Sequence, residues 1–211
     1  MVVETQFVHT NKPVETVDYG HTVIPANRLE FLYRKCTEVL KRNPGNVLEV
    51  GVYKGGTLLA LAKAMYEVCP QYTIYGVDTF SGHPYTDGHP VHYTGKYADV
   101  DLAELKKFLL TVPYTGNIKL YRGRIEKIWP TIPVNNLSFA HIDCDLYVPI
   151  KYCCVNIPEK FEDGAVMYFD DYGHDHCPGA TRAVNEVFGA KKYVNEVILD
   201  DLTNWSCFID F

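Results

Sequence analysis

Leu48-Glu49-Val50-Gly51-Val52-Tyr53-Lys54-Gly55-Gly56-Thr57 is the stretch that decides the fold. An apolar run over 46–51 stops at glycine. From Gly56 to about Val68 apolar residues then recur at helical spacing until Pro70. A buried strand, a tight turn and an amphipathic helix, in that order, open a βαβ unit. The glycines let the backbone approach a ligand closely, and the helix start offers free N–H groups. The spacing is G-x-x-x-G-G, so it meets neither the dinucleotide fingerprint G-x-G-x-x-G nor the phosphate loop G-x-x-x-x-G-K-[ST]. Glu49, ahead of the first glycine, suits a cationic ligand better than a pyrophosphate. A glycine turn that only ends a strand is the plain alternative.

The pattern repeats outward from that stretch. Before it, Leu29, Leu32, Cys36, Val39 and Leu40 share a helical face that Pro44-Gly45 terminates. After it come strands over 73–77, 118–121, 138–142 and 165–169. Between them lie a helix carrying Leu102, Leu105, Phe108 and Leu109, a short helix after Pro149 and a helix over 181–188. Asp99 or Asp101 is placed to cap the first of these. The tail, 193–199 and 205–211 around Asp201-Leu202-Thr203-Asn204, reads as a hairpin. Strand–helix alternation predicts an α/β fold with a seven-stranded, mainly parallel sheet, a C-terminal antiparallel hairpin and helices on both faces. Residues 1–25 are polar and unperiodic, an N-terminal arm or lid; residues 26–211 form the domain.

Acids gather at the strand ends. Asp78 closes the second strand, where a wound sheet places an acid that accepts from both ribose hydroxyls; an ordinary turn Asp is the alternative. Phe139-Ala140-His141-Ile142-Asp143-Cys144-Asp145 and Val166-Met167-Tyr168-Phe169-Asp170-Asp171 each run apolar and then stop at acid. Asp143, Asp170 and Asp171 converging on one sheet edge would repel one another, and a divalent cation is the simplest remedy. Oxygen-only ligands favour Mg²⁺ over zinc.

Composition bounds the partners. With 20 Lys plus Arg against 26 Asp plus Glu, the chain of 211 residues carries a formal charge of −6, which argues against nucleic acid and anionic membrane. Its seven cysteines form no C-x-x-C pair and several sit in apolar runs, as in a reducing cytoplasm. No signal-like segment opens the chain and no apolar run of membrane length occurs, so a cytoplasmic protein is expected. The loop 79–98 holds three His, three Gly and two Pro, a length that points to a lid or binding loop. Phe80, Tyr85, Tyr93 and Tyr97 in or beside it would stack a planar substrate or pack their own loop.

Tyr75-Gly76-Val77-Asp78-Thr79-Phe80-Ser81-Gly82-His83-Pro84, Ile142-Asp143-Cys144-Asp145-Leu146-Tyr147, and Asp170-Asp171-Tyr172-Gly173 followed by Gly179-Ala180-Thr181-Arg182-Ala183-Val184 join the opening stretch as four ordered motifs. Together, over about Ile24 to Val187, they resemble the macrocin O-methyltransferase family. The resemblance implies a Rossmann-like class I methyltransferase fold and a reaction that uses S-adenosyl-L-methionine and Mg²⁺ to methylate a hydroxyl of a small molecule, a sugar or other polar alcohol. Glu49, Gly51 and Gly55 would then line the methionine end of the cofactor and Asp78 its ribose, with Tyr53, Thr57 and Thr79 completing the set. Asp143, Asp170 and Asp171 would hold the metal, and Asp145 would orient or deprotonate the acceptor. Relatives of this kind commonly self-associate, so a homo-oligomer is an open outcome.

Where that family tends to have Leu-Tyr, an acid and Ser-Thr, this chain has Leu146-Tyr147-Val148-Pro149-Ile150. The departure motivates a second reading, a catalytically inactive cofactor-binding protein that acts through partners. Tyr147-x-x-x-Lys151 imitates the pair of short-chain dehydrogenases, but Pro149 and the glycine spacing oppose an NAD-dependent oxidoreductase. His174-Asp175-His176-Cys177 resembles a metal-rich tract able, with Cys144, to bind zinc; a mobile loop beside the active site is the favoured reading.

Overall fold

A computed structural model describes residues 22–114, 117–189, 195–197 and 206–211. Most of the expected arm, and the turn expected around 201–204, lie outside the described residues. Helix α1 (Ala26–Arg42) buries Leu29, Leu32, Cys36, Val39 and Leu40 along one stripe. Strand β1 (Asn46–Val50) leads through the glycine turn into α2 (Gly56–Val68), and β2 (Ile74–Asp78) follows. The long loop has no regular element before α3 (Leu102–Thr111), whose N-cap is Asp101, accepting from the Ala103 and Glu104 N–H groups. Then come β3 (Ile118–Arg122), α4 (Ile125–Ile128), β4 (Leu137–Ile142), α5 (Tyr147–Asn156), β5 (Phe161–Phe169), α6 (Pro178–Phe188), β6 (Asn195–Val197) and β7 (Ser206–Asp210).

The sheet runs β3-β2-β1-β4-β5-β7-β6. β1 to β5 are mutually parallel, and β7 is antiparallel to both β5 and β6. Six strands have five residues or more; β6 covers the three described residues of the arm expected over 193–199, the rest of which lies outside the described residues. Because side chains alternate along a strand, the sheet divides the core in two. Val47, Phe139, Val166 and Tyr168 pack with Leu32, Leu61 and Leu105 of α1, α2 and α3. Leu48, Val50, Ala140, Ile142 and Met167 pack with Ile125, Ile150 and Ala183 of α4, α5 and α6.

Three boundaries differ from the sequence expectation by two residues or more. β5 begins at Phe161 rather than at 165. α5 begins at Tyr147, two residues before Pro149, because the first turn of a helix leaves its N–H groups unused and so tolerates proline. α6 begins at Pro178 for the same reason. No helix among the described residues is long and apolar enough to cross a membrane.

Strand order reverses between β1 and β4, with β2 and β3 to one side and β5 to the other. In a sheet of this kind a crevice opens beyond the carboxyl ends of the strands at that point.

Candidate active site

A cavity of about 350 Å³ occupies that crevice, within the usual size range of small-molecule sites. Its floor is set by how closely β1 and β4 end. The Asp143 N–H donates to the Val50 carbonyl, and a Cβ on Gly51 would lie 1.6 Å from the Asp143 carbonyl oxygen. Gly51 also has φ +95°, so glycine is required on two counts. The wall then follows the strand ends outward: Asp78 and Thr79 after β2, Gly123 to Glu126 after β3, Asp143 to Leu146 after β4, Asp170 and Asp171 after β5.

Asp78 is held for a purpose. Its two carboxylate oxygens each accept a backbone N–H at 2.8 Å, one from Tyr53 and one from Phe80. A carboxylate oxygen has a second lone pair, so a fixed acceptor faces the cavity with capacity left for hydroxyl donors. That fits a cofactor ribose. Tyr53, at φ 49°, follows the glycine turn, and its ring meets Tyr97 edge-on at 5.2 Å.

Asp143, Asp170 and Asp171 line the same cavity. Burial pushes the Asp143 carboxyl well above the usual range, with added repulsion from Asp170 and Asp171. Burial, then the negative charges of Asp145 and Asp170, push Asp171 up to about 8. Arg28 of α1 reaches across to Asp170, Nη1 to Oδ2 at 2.7 Å, both side chains buried. The other oxygen, Oδ1, is buried with no partner at hydrogen-bond distance, His141 Nε2 standing 3.9 Å away. Three mutually repelling carboxylates with a spare buried acceptor fit a hard divalent cation.

Asp145 is treated differently. Burial would raise its carboxyl, but the His83 hydrogen bond at 2.8 Å and the Lys96 ammonium at 3.9 Å outweigh it and hold the group below the usual range. Its backbone adopts φ 57° and its N–H donates to Asp171 Oδ2 at 2.8 Å. Such strain in a non-glycine residue gathers at functional sites. The arrangement therefore offers an ionised acid beside a protonation-prone cluster.

Of the cofactor set expected from the sequence, Gly51, Tyr53, Asp78 and Thr79 line the cavity; Glu49, Gly55 and Thr57 do not. Register explains Glu49. It pairs across the sheet with His141, is fully buried and accepts from His141 Nδ1 at 3.1 Å. Burial pulls His141 down, but the acids on either side, Asp170 and Glu49, outweigh it and lift the imidazole to about 10. Gly55 takes φ +85° as the N-cap of α2, against Leu105. Among the loop aromatics Tyr85 and Tyr97 reach the cavity, whereas Phe80 is in the core and Tyr93 is exposed. Cys144 lines the cavity and packs against the apolar cluster that includes Cys177, but its sulfur is not among the grouped donor atoms of His92, Asp145 and Cys177. Sequence reading missed Arg28, Lys96 and the turn after β3. Arg28 had a signal: it lies one helical turn before Leu32, a charge on the apolar stripe.

Comparison with known proteins gives a consistent picture. The family model described as Macrocin-O-methyltransferase (TylF) matches residues 5–205. Demethyldecarbamoylnovobiocin O-methyltransferase of Streptomyces niveus is 27% identical over 195 residues, covering 86% of this chain and 73% of the relative. Mycinamicin III 3''-O-methyltransferase of Micromonospora griseorubida is 26% identical over 194 residues, covering 84% and 75%. Among solved structures, the calicheamicin methyltransferase CalS11 superposes with a TM-score of 0.70 at 22% identity, covering 89% of this chain and 80% of that one. The O-methyltransferase NovP gives 0.66 at 21%, covering 90% and 81%. At these identities the structures speak for the fold.

Proposed function

The chain belongs to the macrocin O-methyltransferase family and is an S-adenosylmethionine-dependent methyltransferase, and from that premise we propose that it methylates a hydroxyl of a small polar molecule, a sugar or other polar alcohol, with Mg²⁺ held by Asp143, Asp170 and Asp171. The observation that carries the reading is one cavity at the switch point, lined both by Asp78 and the Gly51 turn and by the four carboxylates of Asp143, Asp145, Asp170 and Asp171. Both named relatives are O-methyltransferases of natural products.

In this reading Gly51, Tyr53 and Asp78 bind and orient the cofactor. The acceptor oxygen attacks the methyl carbon, the carbon–sulfur bond breaks, its electron pair returns to sulfur, and S-adenosylhomocysteine leaves. The acceptor proton passes to Asp145, which His83 and Lys96 keep ionised and fixed. A bound divalent ion would supply a lowered hydroxyl pKa and a defined acceptor position. Methyl transfer needs the reacting atoms about 3 Å apart and in line, so the cavity walls act by excluding other poses.

Titration calorimetry with S-adenosylhomocysteine, followed by transfer assays on glycosides and vicinal diols with Mg²⁺ or EDTA, tests it. Cofactor binding and EDTA-sensitive transfer are expected. A folded sample that binds no cofactor sinks the whole reading; full activity in EDTA sinks the metal.

A further inference from the structure

We propose that His92, Asp145 and Cys177 form a second cation site in the same cavity, for a thiophilic divalent ion such as Zn²⁺. The site shares Asp145 with the proposed transfer, so an ion held there would take the carboxylate that otherwise accepts the proton; its metal binding is read without a transfer assay. Its three ligands come from separate segments: the loop after β2, the end of β4 and the turn before α6. His92 Nε2 lies 3.7 Å from Cys177 Sγ and 3.8 Å from Asp145 Oδ1, and Sγ lies 3.4 Å from the same Oδ1. The centre of that triangle is about 2.1 Å from each atom, matching zinc bonds of about 2.0–2.3 Å to nitrogen, oxygen and sulfur.

The surroundings are those of a built site. Asp87 Oδ2 lies 2.9 Å from His92 Nδ1, which leaves Nε2 as the free lone pair aimed at the triangle. A carboxylate behind a ligating imidazole is the usual way such a ring is fixed and made more basic. His83 occupies the other Asp145 oxygen, turning Oδ1 toward the cluster. His92 is fully buried and Cys177 nearly so. Asp145 and Cys177 both line the cavity, so a fourth coordination position opens into it. Mixed nitrogen, oxygen and thiolate donors discriminate against Mg²⁺, which prefers oxygen alone. On binding, the Cys177 proton, now donated to Asp145, leaves for solvent and the sulfur lone pair goes to the metal. The Asp143–Asp170–Asp171 cluster shares none of these three ligands.

Cobalt(II) reports on the site directly. The full chain, stripped with EDTA and desalted, is titrated with Co²⁺ while the thiolate-to-cobalt charge-transfer absorption is followed. One equivalent should develop the band, Zn²⁺ should displace it, and excess Mg²⁺ should not. Cys177→Ser should abolish the band. His92→Gln, which keeps the buried volume filled, should weaken Co²⁺ binding by at least about tenfold. Asp143→Asn should leave the band intact, and metal-free thermal unfolding checks that each variant folds. No band in the parent chain, or a band that persists in Cys177→Ser, overturns the proposal.

Discussion

Asp78 holds backbone from two segments and, in the proposed reading, a ligand as well. Because its oxygens accept from the Tyr53 and Phe80 N–H groups, Asp78→Ala removes two acceptors and, in that reading, a cofactor contact. Losing them should cost about 1–3 kcal/mol in denaturant unfolding and weaken S-adenosylhomocysteine binding by at least about tenfold in calorimetry. Unchanged affinity would make Asp78 a turn residue only. Sequence reading found this acid because it ends an apolar strand, and could not find its backbone partners because they come from other segments. Arg28 is the opposite case. Its pair with Asp170 is buried on both sides, and removing one partner of such a pair costs about 3–5 kcal/mol. Arg28→Met should therefore lower metal-free stability by that order, with part regained on adding Mg²⁺, as thermal unfolding would register. An unaltered melting temperature would mean the ion pair carries no stability.

At the level of elements, the turn after β1 is the junction on which site and sheet depend. A Cβ at Gly51 meets the Asp143 carbonyl, so Gly51→Ala must push β1 and β4 apart at their ends. It should cost at least about 3 kcal/mol or prevent folding. Gly88→Ala is the control: φ is +91° there too, but nothing lies within 4 Å, and the cost should stay near 1–2 kcal/mol. Equal effects in urea unfolding would show that backbone strain alone, rather than the strand contact, sets the glycine requirement. The elements themselves were legible because β1 and β4 are short apolar runs that stop at glycine or acid, and α1 and α2 carry the 3.6 period in their apolar residues. α4 was not, since four residues, Ile125–Ile128, carry no period. Glu49 misled for a related reason. Its place in the strand was plain, but the partner that turned it inward, His141, is set by register between β1 and β4.

For the whole molecule, the sheet gathers repulsion at one edge, and in the proposed reading a divalent ion offsets it. The strand ends of β4 and β5 bring Asp143, Asp170 and Asp171 to one cavity, in a chain whose net charge is already −6. Removing Asp143 relieves repulsion, so Asp143→Ala is expected to hold or raise thermal stability in EDTA, whereas Asp170→Ala also strands the buried Arg28 and should lower it. The same variants should abolish methyl transfer. They should leave S-adenosylhomocysteine affinity within about tenfold, roughly 1.4 kcal/mol, since in the proposed reading the ion holds the acceptor and Gly51, Tyr53 and Asp78 hold the cofactor. A ligand that binds only the folded state stabilises it by mass action, so the rise in melting temperature on adding Mg²⁺ to the parent should shrink in both variants. Calorimetry, a transfer assay and paired melting curves read the three quantities separately. If the parent's melting temperature ignores Mg²⁺ and its transfer survives EDTA, the three acids are strand-end turns, and the sheet edge binds the cofactor without a cation.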